Sequence, residues 1–359
     1  MSILTEKIKA EIAGAGAIPF ARFMEMALYC PDYGFYERES DTVGQGGDFY
    51  TSVSVGPLFG ELLAFQFADW LTQLDRETLQ IVEAGAHDGK LAADILRWLR
   101  RRRPSLSERI EYVIIEPSAR RRQWQHQTLA EFSRSVRWIE TESARHQEQY
   151  TGVVFANELL DAMPVRRVGW DAQRRAWFEW GVGWDQAQFI WTRIPTLALA
   201  HLSELPEELL AVLPDGFTTE ISFLAEQWWG NIAQQLSKGH LMTLDYGLRS
   251  DEFFAPQRAN GTLRAYRGHK ICQDLLADPG EQDLTAHVNF SRIQAAAEKV
   301  GLVTEVLATQ SEYVVGVAKH FWTEAAQGGE WTAQQNRELR TLMHPEHLGR
   351  AFRVLVQRR

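Results

Sequence analysis

The sequence predicts an α/β protein: a Rossmann-like sheet preceded by an N-terminal helical segment and interrupted by an inserted β/α cap. Three observations carry this. From residue 79 onward, short apolar runs alternate with amphipathic stretches of helical spacing. The first run ends in the turn Glu83-Ala84-Gly85-Ala86-His87-Asp88-Gly89, which opens directly into a helical pattern. Residues 165–215 break the alternation with aromatic-rich strand patterns. Apolar strands separated by helices imply a parallel sheet covered on both faces.

The elements follow in order. Thr5, Ile8 and Ile12, then Phe20, Phe23, Met24 and Ala27, recur at helical spacing, and Pro19 opens the second segment, so residues 4–30 read as helical. A loop dense in glycine and aromatic residues follows, and 57–74 reads as an amphipathic helix. Strands are expected at 79–84, 112–116, 136–139, 152–156 and 241–245, with helices at 90–101, 118–132 and about 224–237. In the insertion, 165–168, 176–180 and 188–191 read as strands, with turns at Asp171-Ala172 and Gly183-Trp184-Asp185, and 197–213 reads as helical. The tail suggests a helix at 291–300 and strands within 303–318. The expected division is N-terminal helices and loop at 1–75, the first part of the core at 76–164, the cap at 165–215, and the remainder of the core with the C-terminal segment at 216–359.

Composition narrows the function classes. A chain of 359 residues can bury a sizeable core without staples. Its two cysteines, Cys30 and Cys272, make no disulfide framework and lie in no metal-ligand spacing, so ordinary thiols and no metal are expected. A formal net charge of −9 argues against nucleic-acid binding. The basic run Arg97-Trp98-Leu99-Arg100-Arg101-Arg102-Arg103 ends a predicted helix, where cations favour the macrodipole, and reads as a solvated helix end before a docking patch. No segment approaches the ~18 apolar residues of a membrane span, so no membrane insertion is expected. Residues 1–10 lack the apolar run of a signal peptide, which makes the cytoplasm the expected location. The 13 tryptophans read as core and interface side chains.

The glycine turn is the first functional signal. In open α/β sheets, ligands bind beyond the carboxyl ends of the strands, near the switch in strand order. Glycines serve where backbone turns sharply and approaches a ligand. Glu116, at the end of the next strand, is placed to accept hydrogen bonds from a ribose diol. The dinucleotide fingerprint is absent, because Ala86-His87 follows Gly85. A phosphate loop is one residue short and lacks its Ser/Thr, and Asp88 disfavours a phosphate. S-adenosylmethionine (SAM) carries a sulfonium and an ammonium and no pyrophosphate, so carboxylates around it are sensible. SAM is therefore the expected cofactor, with Glu83, Gly85, His87, Gly89 and Glu116 as candidate contacts. His87 is either a cofactor contact or a solvent-facing loop residue.

Further motifs extend along the chain. They are Ile18-Pro19-Phe20 with Tyr33-Gly34-Phe35-Tyr36; Gly47-Asp48-Phe49-Tyr50-Thr51-Ser52 with Pro57-Leu58-Phe59-Gly60; Asn157-Glu158-Leu159-Leu160-Asp161-Ala162-Met163-Pro164-Val165; Asp245-Tyr246-Gly247; Gly261-Thr262-Leu263; and Asp283-Leu284-Thr285-Ala286-His287-Val288-Asn289-Phe290. In these the chain resembles the MidA-like methyltransferases, bacterial relatives of a mitochondrial complex I assembly factor. The resemblance runs from about Ile18 to Gly316. It implies a class I methyltransferase fold and an arginine-containing protein substrate, since symmetric dimethylation of an arginine in a respiratory complex subunit is attributed to the mitochondrial member. The family's turn usually reads Glu-Leu-Gly-Pro-Gly-x-Gly. Here both outer glycines remain, while the proline and the middle glycine are replaced by Ala86 and His87.

Methyl transfer from SAM is an in-line displacement, so the enzyme mainly holds nucleophile and methyl in line. An arginine acceptor must also be oriented and lose a proton, and carboxylates bind its guanidinium fork bidentately. Glu158 is the expected substrate-orienting carboxylate and Asn157 a cofactor or substrate contact, with Asp161 following within a turn. The competing reading makes Asn157 and Glu158 the cap of a helix starting near Leu159. Asp245 is a candidate second acidic contact and Tyr246 a wall of the substrate channel. Ser52 and Tyr50 could fold over SAM as a lid, or their loop could simply pack the N-terminal helices. His269 and His287 read first as structural residues. The reading is a SAM-dependent methyltransferase acting on protein arginine. A non-catalytic assembly factor and a small-molecule methyltransferase are the alternatives.

Overall fold

The structure, a computed structural model, describes residues 2–38, 51–140, 149–195, 202, 205–268, 270–325, 331–344 and 348–359. Contacts divide the chain into two compact units. One comprises Tyr50–Leu160, Gln227–Gly247 and Arg292–Arg359; the other comprises Met1–Phe49, Asp161–Glu226 and Leu248–Ser291.

The first unit is built on a sheet whose strands are numbered here in chain order: β1 Leu79–Ala84, β2 Ile110–Ile115, β3 Val136–Ile139, β4 Tyr150–Asn157, β5 Leu236–Leu248, β6 Val303–Thr309 and β7 Phe352–Arg358. They lie side by side as β3-β2-β1-β4-β5-β7-β6. The pairs β3–β2, β2–β1, β1–β4 and β4–β5 are parallel, and β7 runs antiparallel to both β5 and β6. The order reverses between β1 and β4, which places the ligand crevice of such a sheet beyond their carboxyl ends. Val153 to Ala156 and Leu241 to Leu244 are buried residue after residue, as expected of strands covered on both faces.

The helix Lys90–Arg102 shows the logic of the covering layer. Leu91, Ala92, Ile95, Leu96, Trp98 and Leu99 are buried, and they share a core with Phe59 and Phe67 of the helix Leu58–Thr72 and with Phe155 of β4. Its arginine-rich end is laced by surface pairs. Arg97 and Arg100 both reach Glu131, and Arg101 reaches Glu61. Such pairs contribute about 0–1 kcal/mol each. They account for most of the basic run as a helix end.

The other unit contains the helices Ile3–Ala15 and Phe20–Tyr29. It also contains an antiparallel sheet ordered Ile18–Pro19, Ala176–Asp185, Arg166–Asp171, Thr218–Ile221, with Gln188–Ile194 paired on Ala176–Asp185. Leu4, Ile8 and Ile12 pack with Phe20, Phe23, Val165, Val182 and Leu284 into its core.

By contacts, residues 1–49 and 248–291 group with the inserted segment. Several expectations about single elements are corrected. The second hairpin turn is Gln186-Ala187, both at positive φ (43° and 70°), because Trp184 and Asp185 stay paired with Phe189 and Gln188. A two-residue loop with both central φ positive matches the twist of its strands. Of the helix expected at 197–213, Glu207–Val212 is helical, and much of the rest lies outside the described residues. Residues 303–318 are not all strand: β6 ends at Thr309 and the helix Gln310–Ala325 begins at once. The helix Ala333–Met343 and β7 went unread. No helix starts at Leu159; the chain bends there instead, which removes the helix-cap reading of Asn157 and Glu158. Among the described residues, no helix is long and apolar enough to cross a membrane.

Candidate functional site

β1 delivers the chain into the glycine turn. Gly85 (φ 73°) and Gly89 (φ 83°) both sit in the left-handed region that glycine adopts without steric cost. A Cβ on Gly85 would lie 2.9 Å from Leu159 Cδ1, so the turn passes close under the loop that follows β4. The Gly89 N–H donates to the Ala86 carbonyl at 2.7 Å and closes the turn. Asp88 Oδ1 accepts the Lys90 N–H at 2.9 Å, and Lys90 Nζ donates to the Val53 carbonyl at 3.2 Å. His87 is the one non-glycine residue of the turn at positive φ (48°). Its side chain is only 20% exposed and meets the Trp124 ring edge-on, so the solvent-facing reading does not hold.

Gln125, missed by the sequence reading, joins this turn to the end of β2. It is fully buried. Its Nε2 donates to the His87 carbonyl at 2.9 Å and to Glu116 Oε2 at 3.1 Å, while its Oε1 accepts from Trp138 Nε1 at 3.0 Å. Glu116 Oε1 also accepts the Ser118 N–H at 3.0 Å. The carboxylate expected to meet a ribose is thus pinned in one orientation. Glu83 is buried against Tyr112, whose hydroxyl donates to Glu83 Oε2 at 2.5 Å. Burial pushes the Glu83 carboxyl up to about 8.

The end of β4 gathers the second group. Asn157 closes the strand, and Glu158 follows with φ 53°, a conformation that a glutamate rarely adopts. Glu158 Oε1 accepts both the Ser52 N–H and Asn157 Nδ2 at 3.2 Å. Burial, and after it the neighbouring Asp245 carboxylate, push Glu158 up to about 8. Asp245 itself is fully buried in β5, one residue past its last pair with β4. Its Oδ2 accepts the Leu159 and Leu160 N–H groups at 3.1 and 2.8 Å, and its Oδ1 accepts the Tyr246 N–H at 2.8 Å. Asp245 therefore anchors the loop after β4 through two backbone donors, while the third ties its carboxylate to its own strand. The Tyr246 ring packs on Phe352 at 3.9 Å.

Glu83, Gly85, His87, Gly89, Glu116, Asn157, Glu158, Asp245 and Ser52 all fall in one compact unit. All but Ser52 and Asp245 stand at or just beyond the carboxyl ends of β1, β2 and β4. Asp161 begins a segment of the other unit, where its carbonyl accepts the Ala286 N–H at 2.9 Å. His287 also belongs to that unit, its N–H donating to Thr262 Oγ1 at 3.1 Å. Tyr50 and His269 lie outside the described residues. The signal that could have singled out Ser52 from Tyr50 was the Thr51-Ser52-Val53-Ser54 sequence of a reciprocal cap, with Thr51 and Ser54 each bonding the other's backbone.

SAM fits these residues on two observations. Asn157 Oδ1 is buried and has no hydrogen-bond partner among the described residues, so an acceptor is available for an ammonium or hydroxyl. Gly85 and Gly89, both at left-handed φ, let the backbone turn sharply at the end of β1 with no side chain of their own in the way.

Residues 62–308 match the model of a family described as S-adenosyl-L-methionine-dependent methyltransferases. The chain superposes on a crystal structure of a COG1565 superfamily member from Burkholderia thailandensis bound to S-adenosyl-homocysteine, with a TM-score of 0.85 and 32% identity, covering 99% of this chain and 92% of that one. The Drosophila melanogaster protein named "Protein arginine methyltransferase NDUFAF7 homolog, mitochondrial" is 29% identical over 329 residues, 84% of this chain and 71% of its own length. The Mus musculus protein of the corresponding name is 27% identical over 378 residues, 95% of this chain and 81% of its own.

Proposed function

We propose that this chain, which belongs to the MidA-like family of SAM-dependent methyltransferases, methylates arginine side chains of a protein. The observation that carries the reading is Glu158, a carboxyl group set at the switch of the sheet with a raised affinity for its proton. Bound SAM supplies a methyl group on a positively charged sulfur, ready for displacement. Gly85 and Gly89 would let the backbone approach it, Glu116 would accept from the ribose, and Asn157 Oδ1 would take a donor from its amino-acid end.

Glu158 then does two things. Its Oε2 accepts no hydrogen bond among the described residues, so a guanidinium N–H can take it. Pairing with the cation favours the ionised carboxylate. When a guanidinium gains a methyl group, one proton must leave for the charge to balance. A carboxylate whose proton affinity is set near pH 8 is suited to receive that proton. Names of the relatives support a protein arginine acceptor, and the family resemblance points to a respiratory complex subunit as its class.

The test is transfer of labelled methyl from SAM to arginine-containing protein fractions, with the products resolved by amino-acid analysis. Label in methylarginine, lost in Glu158→Gln while SAM still binds, is the expected result. Label in a small molecule or in another residue type would refute the arginine reading.

A further inference from the structure

We propose that Gln310 is a positioning residue for the methyl-transfer site: it fixes Ser52 so that the Ser52 backbone N–H donates to Glu158. The inference rests on the role given above to Glu158. Gln310 opens the helix that follows β6 and is fully buried. Its amide cannot be placed either way round. Nε2 points to the Leu342 carbonyl at 3.2 Å, and a carbonyl takes only a donor. Oε1 is thereby committed to the other side, where the Ser52 hydroxyl donates to it at 3.1 Å.

Ser52 is equally buried. It starts the short helix Ser52–Val55, and its own N–H meets Glu158 Oε1 at 3.2 Å. The chain Leu342–Gln310–Ser52–Glu158 therefore links the C-terminal helices to the reacting edge of the sheet. A second tie acts on the same stretch. Glu338, on the helix Ala333–Met343, accepts the Leu58 N–H at 3.0 Å and fills the space over Gly56. The Ser52 loop is thus clamped at both ends by residues distant in sequence. Without the Gln310 acceptor, the Ser52 hydroxyl is a buried donor with nothing to meet, and it must turn to find a partner. Freed of that tie, the start of the Ser52–Val55 helix shifts, which withdraws the Ser52 N–H from Glu158, leaves Asn157 Nδ2 as the only donor to Oε1 among the described residues, and favours the protonated acid.

The experiment uses the full chain and needs no acceptor. The protonation of Glu158 is followed against pH by infrared difference spectroscopy, its band assigned by its loss in Glu158→Gln. In Gln310→Met and in Ser52→Ala the titration midpoint should rise by about half to one pH unit, the scale of one lost hydrogen bond. The double variant should rise no further than the larger single one, because both act through one contact. A folded Gln310→Met with an unmoved midpoint overturns the proposal. Should Gln310→Met not fold, a wild-type midpoint in Ser52→Ala overturns it equally. Failure of the Glu158 reading shows separately, as full methyl transfer by Glu158→Gln.

Discussion

Replacing Glu83 by glutamine should raise stability at high pH and leave it little changed at low pH. The folded protein holds the Glu83 carboxyl at about 8, against 4.5 for the ordinary group, because burial disfavours its charge. The sign follows from proton binding. Between those two values the native state binds the proton and the unfolded state does not, so wild-type stability falls as pH rises through that window. The neutral acid is free of this cost below about pH 4.5 and bears it fully above about pH 8. The gap is 8 minus 4.5, or 3.5 units, which at about 1.36 kcal/mol per unit is an upper bound of about 5 kcal/mol. Glutamine is neutral throughout and can still accept from the Tyr112 hydroxyl. Urea denaturation of both proteins from pH 5 to pH 8.5 measures the difference. Glu83→Gln should gain on wild type by a few kcal/mol across the range. A difference that stays constant with pH would show that Glu83 takes up no proton on folding, and the burial argument would be wrong.

Four further outcomes are expected. Methyl transfer should rise with pH up to about 8, where Glu158 ionises, and Glu158→Gln should abolish that limb of the profile; a profile flat over pH 6–8 would rule out its titration in the reaction. Gly85→Ala should lose measurable SAM binding by calorimetry and cost at least about 1 kcal/mol of stability, since its φ is +73° and the new Cβ would press on Leu159; unchanged affinity would place the cofactor elsewhere. Phe155→Ala should cost about 3–5 kcal/mol in denaturant titrations, because the ring is fully buried between the sheet and Phe67, and a loss under 1 kcal/mol would contradict the packing. His87→Gly should change stability by no more than about 1 kcal/mol, relief of a left-handed non-glycine residue offsetting the added chain entropy; a drop in SAM affinity measured alongside would mark the imidazole as a contact.

The central sheet was legible because its strands are buried on both faces and read as continuous apolar runs. Val153 to Ala156 and Leu241 to Leu244 announce themselves in this way. β7 did not, although Phe352, Val354, Leu355 and Val356 are just as buried, because Arg353 and Gln357 cut its continuous apolar run to three residues. Gln310 was invisible for a different reason. It follows β6, whose half-buried residues read as more strand, and its role exists only through Ser52, 258 positions away. Gly85, Glu116, Asn157 and Glu158 could be named as candidates from the sequence because they stand at or just beyond strand ends. What the site residues do was not legible. Asp245 has the composition of an acidic contact, but its carboxylate accepts three backbone N–H groups and holds the loop. Chain order alone does not show that residues 1–49 and 248–291 share a contact unit.

The altered turn bears directly on whether a methyltransferase site survives here. His87 stands where the family's middle glycine stands, and its φ of +48° is the conformation for which glycine is favoured. Histidine is among the side chains that enter this region most readily, together with asparagine and aspartate. The substitution thus keeps the path of the backbone at a modest strain. The strain is met locally: Gln125 takes the His87 carbonyl, Trp124 covers the ring, and Gly89 closes onto Ala86. The same Gln125 orients Glu116, so the residue that secures the altered turn also secures the carboxylate at the end of β2. Losing the middle glycine removes flexibility that the turn here does not use, while Gly85 and Gly89 remain at their left-handed positions. The left-handed backbone of both outer glycines is therefore retained, with an imidazole added between them.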